Sequence, residues 1–273
     1  MISSFDFDRV LDRQQTASLK WDHYRGRDIL PLWVADMDFL SPPAVLEALE
    51  RRVHHGIFGY AAAPPELREV IAARLADLYN WQIRPEWLLW LPGLVTGLNV
   101  ACRAGGERGD QVLTTVPVYP PFLTAPGHFG RQLRTVPLRQ NRGRWEIDFQ
   151  ELEQAITKDT KLFLLCSPHN PAGRVFERRE LEQLAAVCRR HELIICSDEI
   201  HADLILDRER RHLPTATLGE EVARRTITLM APSKTYNIPG LGFSYAVIPD
   251  QTLRRRFREA MAGIVPEVNL FGY

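Results

Sequence analysis

The sequence predicts an α/β fold: a mostly parallel sheet sandwiched by helices, preceded by an N-terminal arm. Three observations predict it. Short apolar runs recur between residues 88 and 248, stretches of helical spacing separate most of them, and the first forty residues follow neither pattern. Strand-length apolar runs that alternate with amphipathic helices mark βαβ units, whose parallel strands are covered on both faces.

The arm comes first. Residues 1–41 are aromatic-rich and irregular, ending near Leu30-Pro-Leu-Trp-Val-Ala-Asp-Met-Asp-Phe39, and read as a segment that packs against something else. Residues 42–273 form the large domain. Its first helix is signalled by Ser41 as a cap, by Pro42 and Pro43 in the first turn, and by helical apolar spacing to Glu50. Pro64-Pro-Glu-Leu-Arg-Glu-Val-Ile repeats the signal. Strands are expected at 88–91, 111–116, 132–138, 161–166, 193–197, 226–230 and 243–248, with helices at 149–158, 178–190 and 251–261.

Composition narrows the function classes. The 273 residues hold 34 basic and 34 acidic side chains, so no global field would retain nucleic acid or an anionic membrane. Small molecules or a second copy of the chain are the expected partners. Cys102, Cys166, Cys188 and Cys196 form no C-x-x-C pair and lie in apolar contexts, as buried thiols do in a reducing compartment. The start lacks the pattern of a secretory signal and no apolar run is long enough to span a bilayer, so a cytoplasmic location is expected. No dinucleotide, P-loop, serine-hydrolase or zincin motif occurs, and the histidines show no metal-ligand spacing.

Ligands of open α/β sheets bind outside the carboxyl ends of the strands. Tyr119 follows the run at 111–116, Asn170 the run at 161–166, Asp198 and His201 the run at 193–197, and Lys234 the run at 226–230. Each alone has a plain structural explanation: packing, a turn, a cap, a satisfied histidine, a surface lysine. Together they form a set that pyridoxal 5'-phosphate needs. An amine must hold its aldehyde, and a carboxylate must keep its pyridine nitrogen protonated. Lys234 is one of four lysines in the chain, and burial at a strand end favours its neutral amine. Asp198 suits the carboxylate, Asn170 and Tyr119 a ring hydrogen bond and a ring face, and His201 a second partner. The turn Leu91-Pro-Gly-Leu-Val-Thr-Gly-Leu98 offers amides at a helix start, where Val95, Thr96 and Gly97 would cradle the phosphate.

Asn170-Pro-Ala-Gly173, Ser197-Asp-Glu-Ile-His201 and Ser233-Lys-Thr-Tyr-Asn-Ile-Pro-Gly-Leu241 resemble the fold type I pyridoxal-phosphate enzymes of the class I/II aminotransferase superfamily. Trp33-Val-Ala-Asp-Met-Asp-Phe39, Pro117-Val-Tyr-Pro-Pro-Phe122 and Asp198-Glu-Ile-His-Ala-Asp-Leu204 narrow the likeness to the MalY/PatB-type cystathionine β-lyases, or carbon–sulfur lyases. The resemblance implies that Lys234 attaches the cofactor, Asp198 pairs with the pyridine nitrogen, Asn170 binds the ring oxygen and Tyr119 stacks. It also implies a homodimer, in which Tyr60 reaches the neighbouring subunit's phosphate.

Gly242 stands where many aminotransferases of the superfamily carry a phosphate-binding arginine, which favours the lyase branch; Ala231 replaces a frequent serine or threonine. Family members continue past the counterpart of Tyr273 into a C-terminal small domain with a carboxylate-clamping arginine, a domain the resemblance implies is lacking here. The expected function is β-elimination from cystathionine or related cysteine S-conjugates. The alternatives are an aminotransferase, and a truncated, catalytically weak cofactor-binding or regulatory protein.

Overall fold

The computed structural model describes residues 5–273; residues 1–4, part of the expected arm, lie outside the described residues. In chain order the elements are α1 (Leu19–Asp22), α2 (Pro43–His55), α3 (Pro65–Tyr79), β1 (Leu88–Leu91), α4 (Leu94–Ala104), β2 (Gln111–Val116), α5 (Pro121–His128) and β3 (Gln132–Pro137). A hairpin of β4 (Arg139–Asn141) and β5 (Arg144–Glu146) follows, then α6 (Phe149–Gln154), β6 (Thr160–Cys166), α7 (Arg178–Arg190), β7 (Ile194–Asp198), α8 (Glu220–Arg224), β8 (Thr226–Met230), β9 (Ser244–Val247) and α9 (Gln251–Met261).

Seven strands form one sheet in the order β1-β9-β8-β7-β6-β2-β3. The five from β8 to β3 run parallel, while β9 is antiparallel to both β8 and β1. The mixed edge arises because β8 and β9 are joined by the compact Lys234 loop, with no crossover helix to reverse the chain. The central strands are buried on both faces, which is why their sequences are unbroken apolar runs.

One core lies between the sheet and α4, α5 and α9, centred on Leu98, Phe122 and Phe257; a second lies under α7, around Phe163, Leu181 and Leu184. Each such fully buried side chain stabilises the fold by about 1.5–3 kcal/mol relative to an exposed one. Gly97 sits where α4 presses on the sheet: a Cβ there would meet methyls of Leu91 and Leu229 at 3.0 Å. Its hydrogen permits the close approach that seats the start of α4 at the sheet rim.

Two expectations need correction. Ser41 does not cap α2; the cap position is Pro42, with no side-chain hydrogen bond. The first helical residue, Pro43, has no N–H to satisfy, so its ring sets the helix start without a cap. The helix expected at 149–158 ends at Gln154. Beyond it Ile156 and Thr157 are β-branched, and the Thr157 N–H turns to Thr160 Oγ1 at 3.0 Å.

The arm is anchored by charge. The Lys20 ammonium is buried against Asp38 (2.7 Å) and the Asp36 carbonyl (3.0 Å), and Arg13 pairs with Asp36 and Asp38. The arm then meets the Lys234 loop: Asn237 accepts from the Met37 N–H at 2.8 Å and donates to the carbonyls of Met37 and Phe39 at 2.9 and 3.2 Å. Among the described residues no helix is long and apolar enough to cross a membrane.

Candidate functional site

The carboxyl ends of β2, β6, β7 and β8 open onto one cavity of about 780 Å³. Tyr119, Asn170, Asp198, His201, Lys234 and Val95 all line it, joined by Trp33, Val34 and Ala35 of the arm. Residues spread over almost the whole chain are thus brought together because parallel strands put their carboxyl ends on one rim.

Lys234 is half-buried, and its Nζ donates to the Ala35 carbonyl at 3.3 Å. Burial lowers its pKa, opposed by the charge of Asp36. Asp198 is 3% exposed, and among the described residues its carboxylate accepts one hydrogen bond, from the Ile200 N–H at 3.1 Å. Burial raises its pKa from the ordinary 3.8 to about 7; that hydrogen bond opposes the rise, and the neighbouring Glu199 adds to it. A buried carboxylate this poorly satisfied favours a positively charged partner.

Tyr119 is fixed through its backbone, whose N–H donates to the Asn170 carbonyl at 3.0 Å, while its ring lines the cavity. Burial and then the charge of Asp198 raise the pKa of its hydroxyl. Asn170 is held from behind by its own N–H, which donates to Cys166 Sγ at 3.3 Å. Its side-chain amide makes no hydrogen bond among the described residues. His201 has its pKa lowered by burial and by Lys234, so it enters the cavity as a neutral imidazole at pH 7.

The first intrahelical bond of α4 runs from the Gly97 N–H to the Gly93 carbonyl at 3.3 Å. The amides of Leu94, Val95 and Thr96 are therefore left without helical partners at the cavity rim. Of the three residues expected to cradle a phosphate, Val95 lines the cavity, Thr96 sits beside it in the same first turn, and Gly97 commits its N–H to the helix. Gly93 and Leu94, inside the turn read from the sequence but not singled out there, line the cavity as well.

Tyr60 stands apart, fully exposed and outside the cavity. The arm's contribution was also missed: Ala35 offers a carbonyl, for which no residue type is a signal. Gly242, at the cavity wall, has φ +62, and a Cβ there would meet Asn269 Nδ2 and the Pro92 carbonyl at 3.2 Å. A larger residue at that position would strain the loop.

These residues fit pyridoxal 5'-phosphate on physical grounds. A neutral-leaning amine, a buried carboxylate short of a cationic partner, and free helix-start amides converge on one cavity, matching the aldehyde, the pyridine nitrogen and the phosphate of that cofactor.

Comparison with known proteins agrees. The family model "Aminotransferase class I and II" matches residues 27–270. The chain is 40% identical over 261 residues to cystathionine beta-lyase PatB of Bacillus subtilis (strain 168), covering 94% of this chain and 67% of PatB. Among solved structures, OvoB superposes with a TM-score of 0.96 at 46% identity, covering 98% of this chain and 71% of OvoB. Cystalysin from Treponema denticola, whose crystal structure contains a pyridoxal 5'-phosphate cofactor, gives a TM-score of 0.94 at 34% identity, covering 98% of this chain and 70% of its own. The chain thus spans about two thirds of the length of PatB. With the family match running through the arm, the sheet and the Lys234 loop alike, the chain belongs to the aminotransferase class I and II family.

Proposed function

We propose that this protein is a pyridoxal-phosphate-dependent carbon–sulfur β-lyase that cleaves L-cystathionine or related cysteine S-conjugates to a thiol, pyruvate and ammonia. The observation that carries the cofactor is the pairing of half-buried Lys234 with buried, under-satisfied Asp198 in one cavity. The choice of elimination rests on relatives such as PatB, a cystathionine beta-lyase.

Lys234 would attach the cofactor, Asp198 would hold a proton on its pyridine nitrogen, Asn170 would donate to its ring oxygen, and Tyr119 would cover one face. His201 is a second neighbour of the ring. The start of α4, through Val95 and Thr96, would take the phosphate, with Gly97 seating that turn against the sheet. Bound there, the cofactor supplies an electron sink for the charge left at the substrate's Cα.

The chain's own part is proton handling. With the cofactor bound, the Lys234 Nζ would take the Cα proton as general base, a role favoured by a pKa lowered by burial. The Cβ–S bond then breaks, and the sulfur departs as thiolate. The arm, through Trp33, Val34 and Ala35, covers the amine's side of the cavity and limits water there.

Residues 42–273 are read as the cofactor-binding large domain and 1–41 as the arm; among the described residues the buried hydrophobic ones fall between Ile71 and Val268. A homodimer is part of the proposal. Helix α2 buries none of its residues, and Val53, Ile57, Phe58 and Tyr60 are exposed in and after it. A second copy would cover that apolar surface, and Tyr60 would then reach the other subunit's phosphate site. The four buried free thiols accord with a cytoplasmic setting.

The test is borohydride reduction of the protein mixed with cofactor, followed by peptide mass mapping, and then incubation with L-cystathionine. Expected are a reduction-stable cofactor mass on Lys234, absent in Lys234→Ala, and release of thiol and pyruvate without any added keto acid. Turnover that depends on a keto acid would make the protein an aminotransferase. Attachment elsewhere would overturn the site.

A further inference from the structure

Behind the Lys234 loop, on the side away from the cavity, lies a second cluster that the proposed chemistry does not use. Asp203, five residues past Asp198, accepts three hydrogen bonds: from Thr235 Oγ1 at 2.8 Å, from the Arg74 guanidinium at 2.7 Å and from the Tyr79 hydroxyl at 2.6 Å. Arg74 and Tyr79 both belong to α3, and Arg74 also lies over the Tyr236 ring at 5.7 Å. Two consecutive residues after Lys234 are therefore gripped from one helix. The Asp203 side chain is 21% exposed, and its hydrogen bonds hold its pKa low against burial, so it is a carboxylate at neutral pH.

The geometry points to Asp203 as a positioning residue for Lys234: fixed by Arg74 and Tyr79, its carboxylate holds Thr235 Oγ1 and so aims the adjoining amine into the cavity shared with Asp198. This rests on Lys234 being the cofactor-attaching lysine. The other side of the loop is held independently, by Asn237 on the arm. With both grips in place, the Lys234 backbone has little freedom to rotate its side chain out toward water. The charged or titratable groups facing the amine are Asp36 from the arm and His201 from the segment after β7, with Asp198 and Tyr119 on the same cavity wall. Asp36 and His201 bear on the amine's charge, and neither touches Thr235.

A purely structural role, in which Asp203 only ties α3 to the sheet, makes a different prediction. It would weaken the fold on substitution and leave the lysine's environment alone. Competitive acylation with acetic anhydride, read by peptide mass mapping across pH on the cofactor-free chain, separates the two, with Lys158 and Lys161 as internal references. Burial lowers the Lys234 pKa, so freeing the loop lets the amine reach water.

In Thr235→Val and in Asp203→Ala, the midpoint of Lys234 labelling moves up toward the ordinary lysine value while the reference lysines stay put. Thr235→Ser, which keeps the hydroxyl, labels as the wild type does. The double variant shifts no further than Asp203→Ala alone, because both substitutions break the same Thr235–Asp203 bond. An unchanged Lys234 midpoint in Thr235→Val overturns the inference, and so does additive behaviour in the double variant. Should Asp203→Ala fold poorly, Thr235→Val and Thr235→Ser decide alone. Because no cofactor is used, failure of cofactor attachment would sink the proposed function and leave this outcome readable.

Discussion

Asp198 and Glu199 are consecutive acids at the end of β7, 3% and 1% exposed, and they lead opposite lives. Glu199 faces away from the cavity into a buried polar network that saturates its carboxylate. Its Oε1 accepts from Ser197 Oγ and from the Thr215 N–H, both at 2.9 Å, and its Oε2 meets His212 Nε2 at 2.7 Å. Asp198 faces the cavity with one hydrogen bond and a pKa pushed up to about 7. The pair shows that burial alone does not mark a functional acid. What marks it is burial without satisfaction, since an evolved fold leaves a buried polar group short of partners mainly where a ligand will supply them.

The largest effect should come from breaking the satisfied side. Glu199→Ala strands the Thr215 amide and His212 in a dry interior, leaves the Ser197 hydroxyl only Thr215 Oγ1 at 3.1 Å, and should cost about 3–5 kcal/mol in urea unfolding. A loss under about 1 kcal/mol would mean that the network is decorative and that the contrast with Asp198 is false.

Asp198→Asn should act in the reverse direction on the cofactor-free protein. In the unfolded chain Asp198 ionises near 3.8 and in the folded one near 7, so between those values the folded state binds more protons. Stability from this group is therefore intact below pH 4, falls as pH rises, and is fully lost above about pH 7. The shift corresponds to about 4 kcal/mol. Asparagine carries no charge to desolvate and keeps an acceptor for the Ile200 N–H. The difference in unfolding free energy between Asp198→Asn and the wild type should thus grow from pH 4 to pH 8 in the variant's favour, by about 2–4 kcal/mol. The same variant should hold the cofactor without supporting elimination. A flat difference across pH would place Asp198 in a wetter setting than the structure gives it.

Legibility in the sequence followed the same division. The sheet could be read because strands such as Thr226–Met230 are buried on both faces and spell it out as apolar runs. The β4–β5 hairpin could not, since Arg139-Gln140-Asn141 is an exposed polar strand held by its turn. Helix α5 was hidden by Pro126 and Gly127, whose propensities oppose the helix that packing imposes. The cavity residues Tyr119, Asn170, Asp198, His201 and Lys234 were legible because topology alone sends strand ends to one rim. The supports behind them were not. Asp203 and Thr235 lie 32 residues apart and are brought together by α3, a tertiary fact without any local signature.

The smallest effects come from one atom removed on each side. Tyr79 and Tyr119 are both tyrosines with raised hydroxyl pKa values, led in each case by burial. The Tyr79 hydroxyl donates to Asp203 at 2.6 Å, whereas the Tyr119 hydroxyl has no hydrogen bond among the described residues. Tyr79→Phe deletes a donor to a carboxylate at a partly exposed position, so about 1 kcal/mol of stability should be lost. Tyr119→Phe deletes a hydroxyl that bonds to nothing in the cofactor-free chain and keeps the ring, so its unfolding free energy should move by less than about 0.5 kcal/mol. If Tyr119→Phe proved the more costly of the two, its hydroxyl would have a protein partner and the cavity side would be as well bonded as the Glu199 carboxylate. The contrast that assigns one side of the β7 end to chemistry and the other to support would then fail.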